Sequence, residues 1–196
     1  MWDEGDALRT VFLAKLIKTK GVDVAAAAVA RANAMNPGRR VMLDVYGGVS
    51  AEYEKEFADL TARHSCVSYR GVIPEGKVPE TLSRYHFMVF PTRFAEEVFP
   101  GVVLDSFSVG LPVLISDWNY NRELVLDGVN GFVLSPLDVE RWAEKLRELS
   151  LLNAATWGRL SLEAARAARK YDSSVVVGEF LKDFDRWYLR RRERIR

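Results

Sequence analysis

The sequence predicts an α/β fold, a doubly wound parallel sheet of about six strands with flanking helices. Three observations lead there. Short apolar, β-branched runs recur at helix-length intervals along the 196 residues. They are apolar almost throughout rather than alternating, as in strands covered on both faces. Each opens into a turn bearing glycine, lysine or an acid before helical spacing resumes, which is the rhythm of right-handed strand–helix–strand crossovers.

Taken in order, TVFLA from Thr10 is the first strand, and it runs on into AKLIKTKG. Gly21 breaks the pattern ahead of VDVAAAAVARANAM, where Val22, Ala25, Ala26 and Val29 recur at helical spacing and the alanines allow close packing on a sheet. Asn36-Pro37-Gly38 ends that helix. Val41–Gly48 is a second strand closing on two glycines, and Ala51–Arg63 a charged helix. Cys66–Tyr69 is a third strand; Gly71 and Pro74 mark the loop after it, and a short helix spans Pro79–Tyr85. Phe87–Phe90 is a fourth strand, followed by an acidic turn and a helix that starts at Pro100-Gly101. Pro112–Ser116 and Gly131–Leu134 are the fifth and sixth strands, separated by a short helix from Tyr120 to Leu126 that Asp127-Gly128 closes. The remainder is helical: one helix from Leu137-Asp138 with apolar Val139, Trp142, Ala143, Leu146 and Leu149, then Ala154–Lys170, then Ser173–Arg191 with Ser173 as its N-cap. No internal repeat, low-complexity tract or interdomain linker interrupts this order.

A hydrophobic content of 48% with 28% charged residues suffices to build a core. The net charge of +1 argues against nucleic acid as an obligatory partner, since tracking phosphates needs a clearly basic face. The basic bias is concentrated in Arg186–Arg196, which holds six arginines and one glutamate. That tail reads as a solvated helix end or as a segment drawn to an anionic membrane surface, with Trp187 and Tyr188 as interfacial rings. The lone Cys66 precludes an intrachain disulfide and reads as a buried structural thiol, which makes a reducing, cytoplasmic setting the expectation. Acidic Asp3, Glu4 and Asp6 replace the basic start of a signal peptide, and no run of about 18 apolar residues is present. His64 and His86 lack metal-ligand spacing and read as structural or surface residues, so no metal is expected. Trp142, Phe180, Phe184, Trp187 and Tyr188 read as core or interface.

In such a sheet, ligands bind beyond the carboxyl ends of the strands. That rule selects Lys15, Lys20, Gly47-Gly48, Arg70-Gly71, Glu97 and Asp117. Lys15 and Lys20 flank the first strand-to-helix turn, where two ammonium groups can hold a diphosphate or simply be solvated. The turn lacks the glycine pattern of a P-loop. Glu97 precedes a helix start, whose free N–H groups suit an anion, and Asp105 follows eight residues later, about one turn into that helix. A carboxylate accepts hydrogen bonds from adjacent sugar hydroxyls, so this pair can hold a hexose and a ribose. The bland alternative makes Glu97 an exposed loop acid and Asp105 a helix decoration.

With Glu97, Asp105 and the two lysines so placed, the sequence resembles the donor-binding, C-terminal half of the retaining, group 1 glycosyltransferases with the GT-B fold. The resemblance is carried by Glu97 and Asp105, by Gly110-Leu111-Pro112-Val113-Leu114-Ile115-Ser116, by Glu123 with Asp127-Gly128 and Gly131, and by Lys15 with Lys20-Gly21. It covers roughly residues 8–150 in the family's order. It implies a single Rossmann-like nucleotide-sugar-binding domain over residues 1–196, with 8–150 as core and 151–196 as C-terminal helices, and with the N-terminal acceptor domain absent.

The resemblance also implies roles. Glu97 binds hydroxyls of the donor sugar, Asp105 the ribose, Lys15 and Lys20 the diphosphate, and Gly101 and Val102 the phosphate or sugar. Gly71, Val72 and Ile73 border the nucleobase. The donor is a nucleotide diphosphate sugar of UDP or GDP type, and transfer of a hexose to a glycan or lipid-linked acceptor needs no metal or cofactor. Alone, the domain transfers weakly or not at all and depends on an acceptor domain or partner subunit. A non-catalytic partner of a split transferase and a sugar-nucleotide epimerase are the other readings. The sequence departs from the family pattern at three places: Ala14-Lys15 stands for Gly-Arg, Asp105 for glutamate, and Pro100 for a glycine. The last helix resembles the segment that crosses back to the acceptor domain.

Overall fold

The computed structural model describes residues 7–35 and 39–193, with side chains through 188. Six strands form one sheet: β1 (Ala7–Leu13), β2 (Arg40–Tyr46), β3 (Val67–Tyr69), β4 (Phe87–Phe90), β5 (Val113–Ser116) and β6 (Gly131–Leu134). Their order is β3-β2-β1-β4-β5-β6 and every pairing is parallel. The chain moves outward from β1 through β2 to β3, then returns to β4 and moves outward the other way. The order therefore reverses between β1 and β4, and two loops diverge there.

The helices are α1 (Val22–Met35), α2 (Glu54–Arg63), α3 (Val78–Leu82), α4 (Gly101–Ser108), α5 (Asn121–Leu124), α6 (Val139–Ser150), α7 (Ala154–Arg169) and α8 (Ser173–Glu193). α1 packs on α2 and α6, while α4 packs on α3 and α7. These two sets cover opposite faces, as right-handed crossovers from a sheet of this order require. Close approach explains the alanines of α1: Ala25, Ala26 and Ala28 are fully buried against the sheet and α6. β4 (FMVF) and β5 (VLIS) are buried at every position, so their runs, apolar but for the terminal Ser116, are those of central strands. Trp142 of α6 is fully buried, and its indole N–H donates to the Ser135 carbonyl at 2.7 Å.

Four expectations need correction. β1 begins at Ala7, not Thr10, because Arg9, a polar residue inside the strand, extends the ladder with β2 and donates its N–H to Nδ1 of buried His86 at 3.0 Å. The charged helix opens as a short 3-10 turn, Ala51–Tyr53, before α2. The N-cap of α8 is Asp172, whose carboxylate accepts from the Ser174 N–H at 2.8 Å, and Ser173 is already the first helical residue. Of the aromatics read as core or interface, Trp142 is core, whereas Phe180, Phe184, Trp187 and Tyr188 are exposed and contact one another, which removes the core from the expectation for those four. Asn36-Pro37-Gly38 and residues 194–196 of the arginine tail lie outside the described residues. Among the described residues no helix is long and apolar enough to cross a membrane.

Candidate functional site

Beyond Leu13 the chain does not leave the sheet at once. Ala14 N–H donates to the Tyr46 carbonyl at 3.2 Å, Leu16 N–H to Gly48 at 2.8 Å, and Ser50 N–H returns a bond to Leu16 at 3.0 Å. These bonds tie the lysine-bearing turn to the loop after β2. Gly47 makes the approach possible: at φ 135° it sits where a Cβ would lie 1.7 Å from the Ala14 carbonyl oxygen. A single 3-10 turn, Lys18–Lys20, then ends at Gly21 in the left-handed region, φ 84°. A Cβ on Gly21 would lie 2.0 Å from the Pro91 carbonyl oxygen, so the turn after β1 packs directly on the loop after β4.

That contact delivers Lys20 to Glu97. The ammonium and the carboxylate form an ion pair between two largely buried side chains, 14% and 11% exposed. The Lys20 ammonium also sits 4.4 Å from the centroid of the Phe94 ring. Glu97 accepts a second bond from the Thr92 hydroxyl at 3.2 Å, and the carbonyl of buried Thr92 is itself held by the Ser116 hydroxyl. Arg93 braces the same junction with a two-pronged contact to Asp23 at the start of α1, 2.9 and 3.3 Å, while its N–H donates to the Thr19 carbonyl at 2.8 Å. Nearby Tyr53 has its hydroxyl buried with no hydrogen-bond partner among the described residues. Burial pushes that hydroxyl up to about 12, with the Asp23 and Glu56 carboxylates adding to the shift.

The acid turn runs straight into α4. Pro100 takes the N-cap position in an extended conformation, and Val103 N–H bonds back to its carbonyl at 2.9 Å, which leaves the Gly101 and Val102 N–H groups at the helix start. Val103, Ser106 and Phe107 face the core. Gly101, Asp105 and Ser108, at i, i+4 and i+7, face outward on one stripe, so Asp105 lies on the same side as the helix start. Its carboxylate has no side-chain partner among the described residues, and desolvation by its surroundings raises it above the usual aspartate value.

The other predicted positions are more scattered. Lys15 is exposed on the first turn. Gly71, at φ 80°, Val72 and Ile73 follow β3, two strands away from β1, and the Gly71 carbonyl accepts from Gly47 N–H at 2.9 Å. Val72 is exposed. Arg70 is turned away to Asp44 at 3.0 Å, beside a groove of about 640 Å³ that Tyr85, Tyr46, Arg9 and Arg84 also line. Asp117 pairs with Arg122 through two 2.7 Å bonds, which holds its carboxyl below the usual range and locks the turn after β5. His86 and Cys66 are buried and structural.

The sequence reading missed Thr92, Arg93, Ser116, Trp118 and Asn119, which hold the acid turn. Thr92 and Ser116 could have been found as the polar residues at the carboxyl ends of two otherwise apolar strands. The Trp118 and Asn119 contacts span more than twenty residues and leave no local signal.

A parallel sheet of this order, with a lysine and a carboxylate meeting at the reversal of strand order, defines a Rossmann-type nucleotide-binding architecture. The model of the family described as glycosyl transferases group 1 matches residues 7–151, and the chain belongs to that family. Among curated proteins, a sucrose synthase of Melioribacter roseus is 33% identical over 92 residues, 45% of this chain and 11% of its own. An exopolysaccharide phosphotransferase of Streptomyces coelicolor is 26% identical over 179 residues, 90% of this chain and 18% of its own. The chain thus spans less than a fifth of the length of these relatives. Among solved structures, Anabaena HepE in complex with UDP-glucose superposes with a TM-score of 0.75 at 18% identity, over 91% of this chain and 48% of its own. The C-terminal domain of a group 1 glycosyl transferase from Francisella tularensis gives a TM-score of 0.70 at 15% identity, over 82% of this chain and 84% of its own. The fold is that of the C-terminal half of a GT-B enzyme.

Proposed function

We propose that this chain is the donor-binding domain of a retaining glycosyltransferase that moves a hexose from a nucleotide diphosphate sugar to a glycan or lipid-linked acceptor. The observation that carries the reading is the Lys20–Glu97 ion pair across the reversal of strand order. The residues assigned to the diphosphate and to the hexose, neighbouring parts of the donor, already touch, so one ligand entering there meets both. In this reading the diphosphate draws Lys20 and Lys15, the N–H groups of Gly101 and Val102 face the phosphate or the sugar, and Glu97 turns to the hexose hydroxyls. Asp105 takes the ribose, and Gly71, Val72 and Ile73 border the base. Charge on the departing diphosphate is then offset by lysines and a helix start rather than by a metal, with no cofactor. The UDP-glucose in HepE favours a uridine donor, and the name of the Streptomyces relative favours polysaccharide assembly.

In this proposal residues 1–196 form one donor domain, and a separate acceptor domain or partner subunit supplies the other wall of the cleft. The domain alone is then weakly active or inactive. It works in the cytoplasm, and α8 with the arginine tail provides a peripheral contact to an anionic membrane. The Asp105 and Ala14-Lys15 departures favour a second reading, a binding subunit that has lost transfer. Calorimetry of the chain with UDP-glucose, UDP and GDP-mannose tests the donor site, and transfer after addition of an acceptor half in trans separates the two readings. Absence of binding to every nucleotide and nucleotide sugar would sink the donor site itself.

A further inference from the structure

Glu97 is held in two independent ways. Its carboxylate is held by Lys20 and Thr92. Its backbone is held from the turn after β5. The Asn119 side-chain amide donates to the Glu97 carbonyl at 2.8 Å and to the Ala95 carbonyl at 3.1 Å, and the Trp118 indole N–H donates to the Phe94 carbonyl at 2.8 Å. Three donors from adjacent residues thus meet three carbonyls of one short turn. Asn119 reaches them in the left-handed region, φ 44°, the only non-glycine residue with positive φ among those described. Asparagine is one of the few side chains that tolerates that conformation. The turn that presents it is fixed in turn by the Asp117–Arg122 pair and by Asn121, whose amide donates to the Ser116 carbonyl at 3.0 Å.

We infer that Asn119, seconded by Trp118, is a positioning residue for Glu97, holding the acid turn in place while the carboxylate exchanges Lys20 for the hydroxyls of the donor sugar. The inference rests on the donor-site reading above and goes beyond it. When a diphosphate claims Lys20, the carboxylate loses its strongest tether. Ala95 and Glu96 are exposed, so nothing on the outer side of the turn restrains it. The Asn119 and Trp118 bonds end on backbone carbonyls and survive the exchange. They convert the loss of an ion pair into a rotation of one side chain instead of a displacement of the loop.

The role separates from a general structural one by ligand. Glu97 faces the sugar, so a misplaced Glu97 weakens UDP-glucose binding and leaves UDP binding alone. The test is calorimetry of the chain carrying Asn119→Gly, which accepts φ 44° without the amide, and Asn119→Asp, which keeps the shape without the N–H donor, with thermal melts to verify folding. Removing two modest hydrogen bonds predicts a loss of about fivefold to tenfold in UDP-glucose affinity, with UDP affinity within about twofold of the unsubstituted chain. Equal losses for UDP and UDP-glucose would show general loosening and overturn the inference. Unchanged UDP-glucose affinity in both variants would overturn it while leaving the donor site intact. If the unsubstituted chain bound neither ligand, the donor-site reading would fail and take the inference with it.

Discussion

Lys20 and Glu97 are separated by 77 residues in sequence and joined by an ion pair at the point where the sheet reverses its strand order. Each is the other's main counter-charge in a largely desolvated setting, so removing one exposes the cost of burying the second. Lys20→Met should therefore lower unfolding stability by about 1–3 kcal/mol, and the double variant with Glu97→Gln should lose less than the sum of the single losses. Urea denaturation of the four proteins measures this coupling. On the ligand side the two substitutions diverge: Lys20→Met weakens UDP by about tenfold, whereas Glu97→Gln weakens UDP-glucose and leaves UDP as tight or tighter, because Lys20 is then free for the diphosphate. Equal behaviour of both variants toward both ligands would contradict the assignment.

Asp105 gives a pH prediction. Desolvation raises its carboxyl above the usual value in the fold, so the folded state holds a proton more tightly than the unfolded chain does. Its contribution to stability is fully present below the unfolded value and is lost as pH rises through the folded one. At neutral pH the charged Asp105 is thus a liability to the free protein, and Asp105→Asn should melt higher than the unsubstituted chain, the difference shrinking as pH falls. The same substitution should weaken UDP through the ribose. A variant that is more stable and binds more weakly is the signature of a residue kept for a ligand; an Asn variant less stable at pH 7 would show that the carboxylate is structural.

The six strands and most helix limits were legible because the cues are local, whereas the order of the strands in the sheet came only with the structure. The apolar run Phe87–Phe90 and the Ala-rich α1 can only be a buried strand and a sheet-packed helix, and the structure forms both as read. Lys20 and Glu97 were legible as separate candidates by the rule that strand carboxyl ends carry ligands. Their contact was not, since it depends on Gly21 letting two loops touch over a stretch of sequence that no pattern spans. The start of β1 was hidden by Arg9, a charged residue whose place in a strand is set by its long-range bond to His86. The cap of α8 was misplaced by one residue because Asp172 and Ser173 are both good capping residues, and only geometry chooses between them.

Gly21 joins the two halves of the site. At φ 84° and with the Pro91 carbonyl where a Cβ would sit, Gly21→Ala pays for strain and forces the loops apart. A loss of about 2–3 kcal/mol is expected in denaturant titration. UDP-glucose affinity should fall with it, since Lys20 is the preceding residue. Gly101→Ala is the control: open space surrounds that Cβ, so its stability should change by less than about 0.5 kcal/mol. Parity between the two variants would mean that the Gly21 contact does not position the turn.

The final helix is built differently from the rest. Val176, Phe180, Phe184 and Trp187, spaced at four, four and three residues, are all exposed, and the rings of Phe180 and Trp187 both meet that of Phe184. A helix without tertiary burial gains little stability of its own in water. Ending the chain after Asp172, which keeps the Tyr171 ring against Phe99, should therefore leave the melting temperature within about 2 °C and UDP-glucose affinity unchanged. If the exposed rings and the six arginines of Arg186–Arg196 serve a membrane, sedimentation with phosphatidylserine vesicles should capture the full chain at low salt, release it as salt screens the charges, and miss the shortened one. A large fall in melting temperature on shortening would instead make α8 part of the folded core; loss of the full chain from anionic vesicles at every salt concentration would remove the membrane from the proposal.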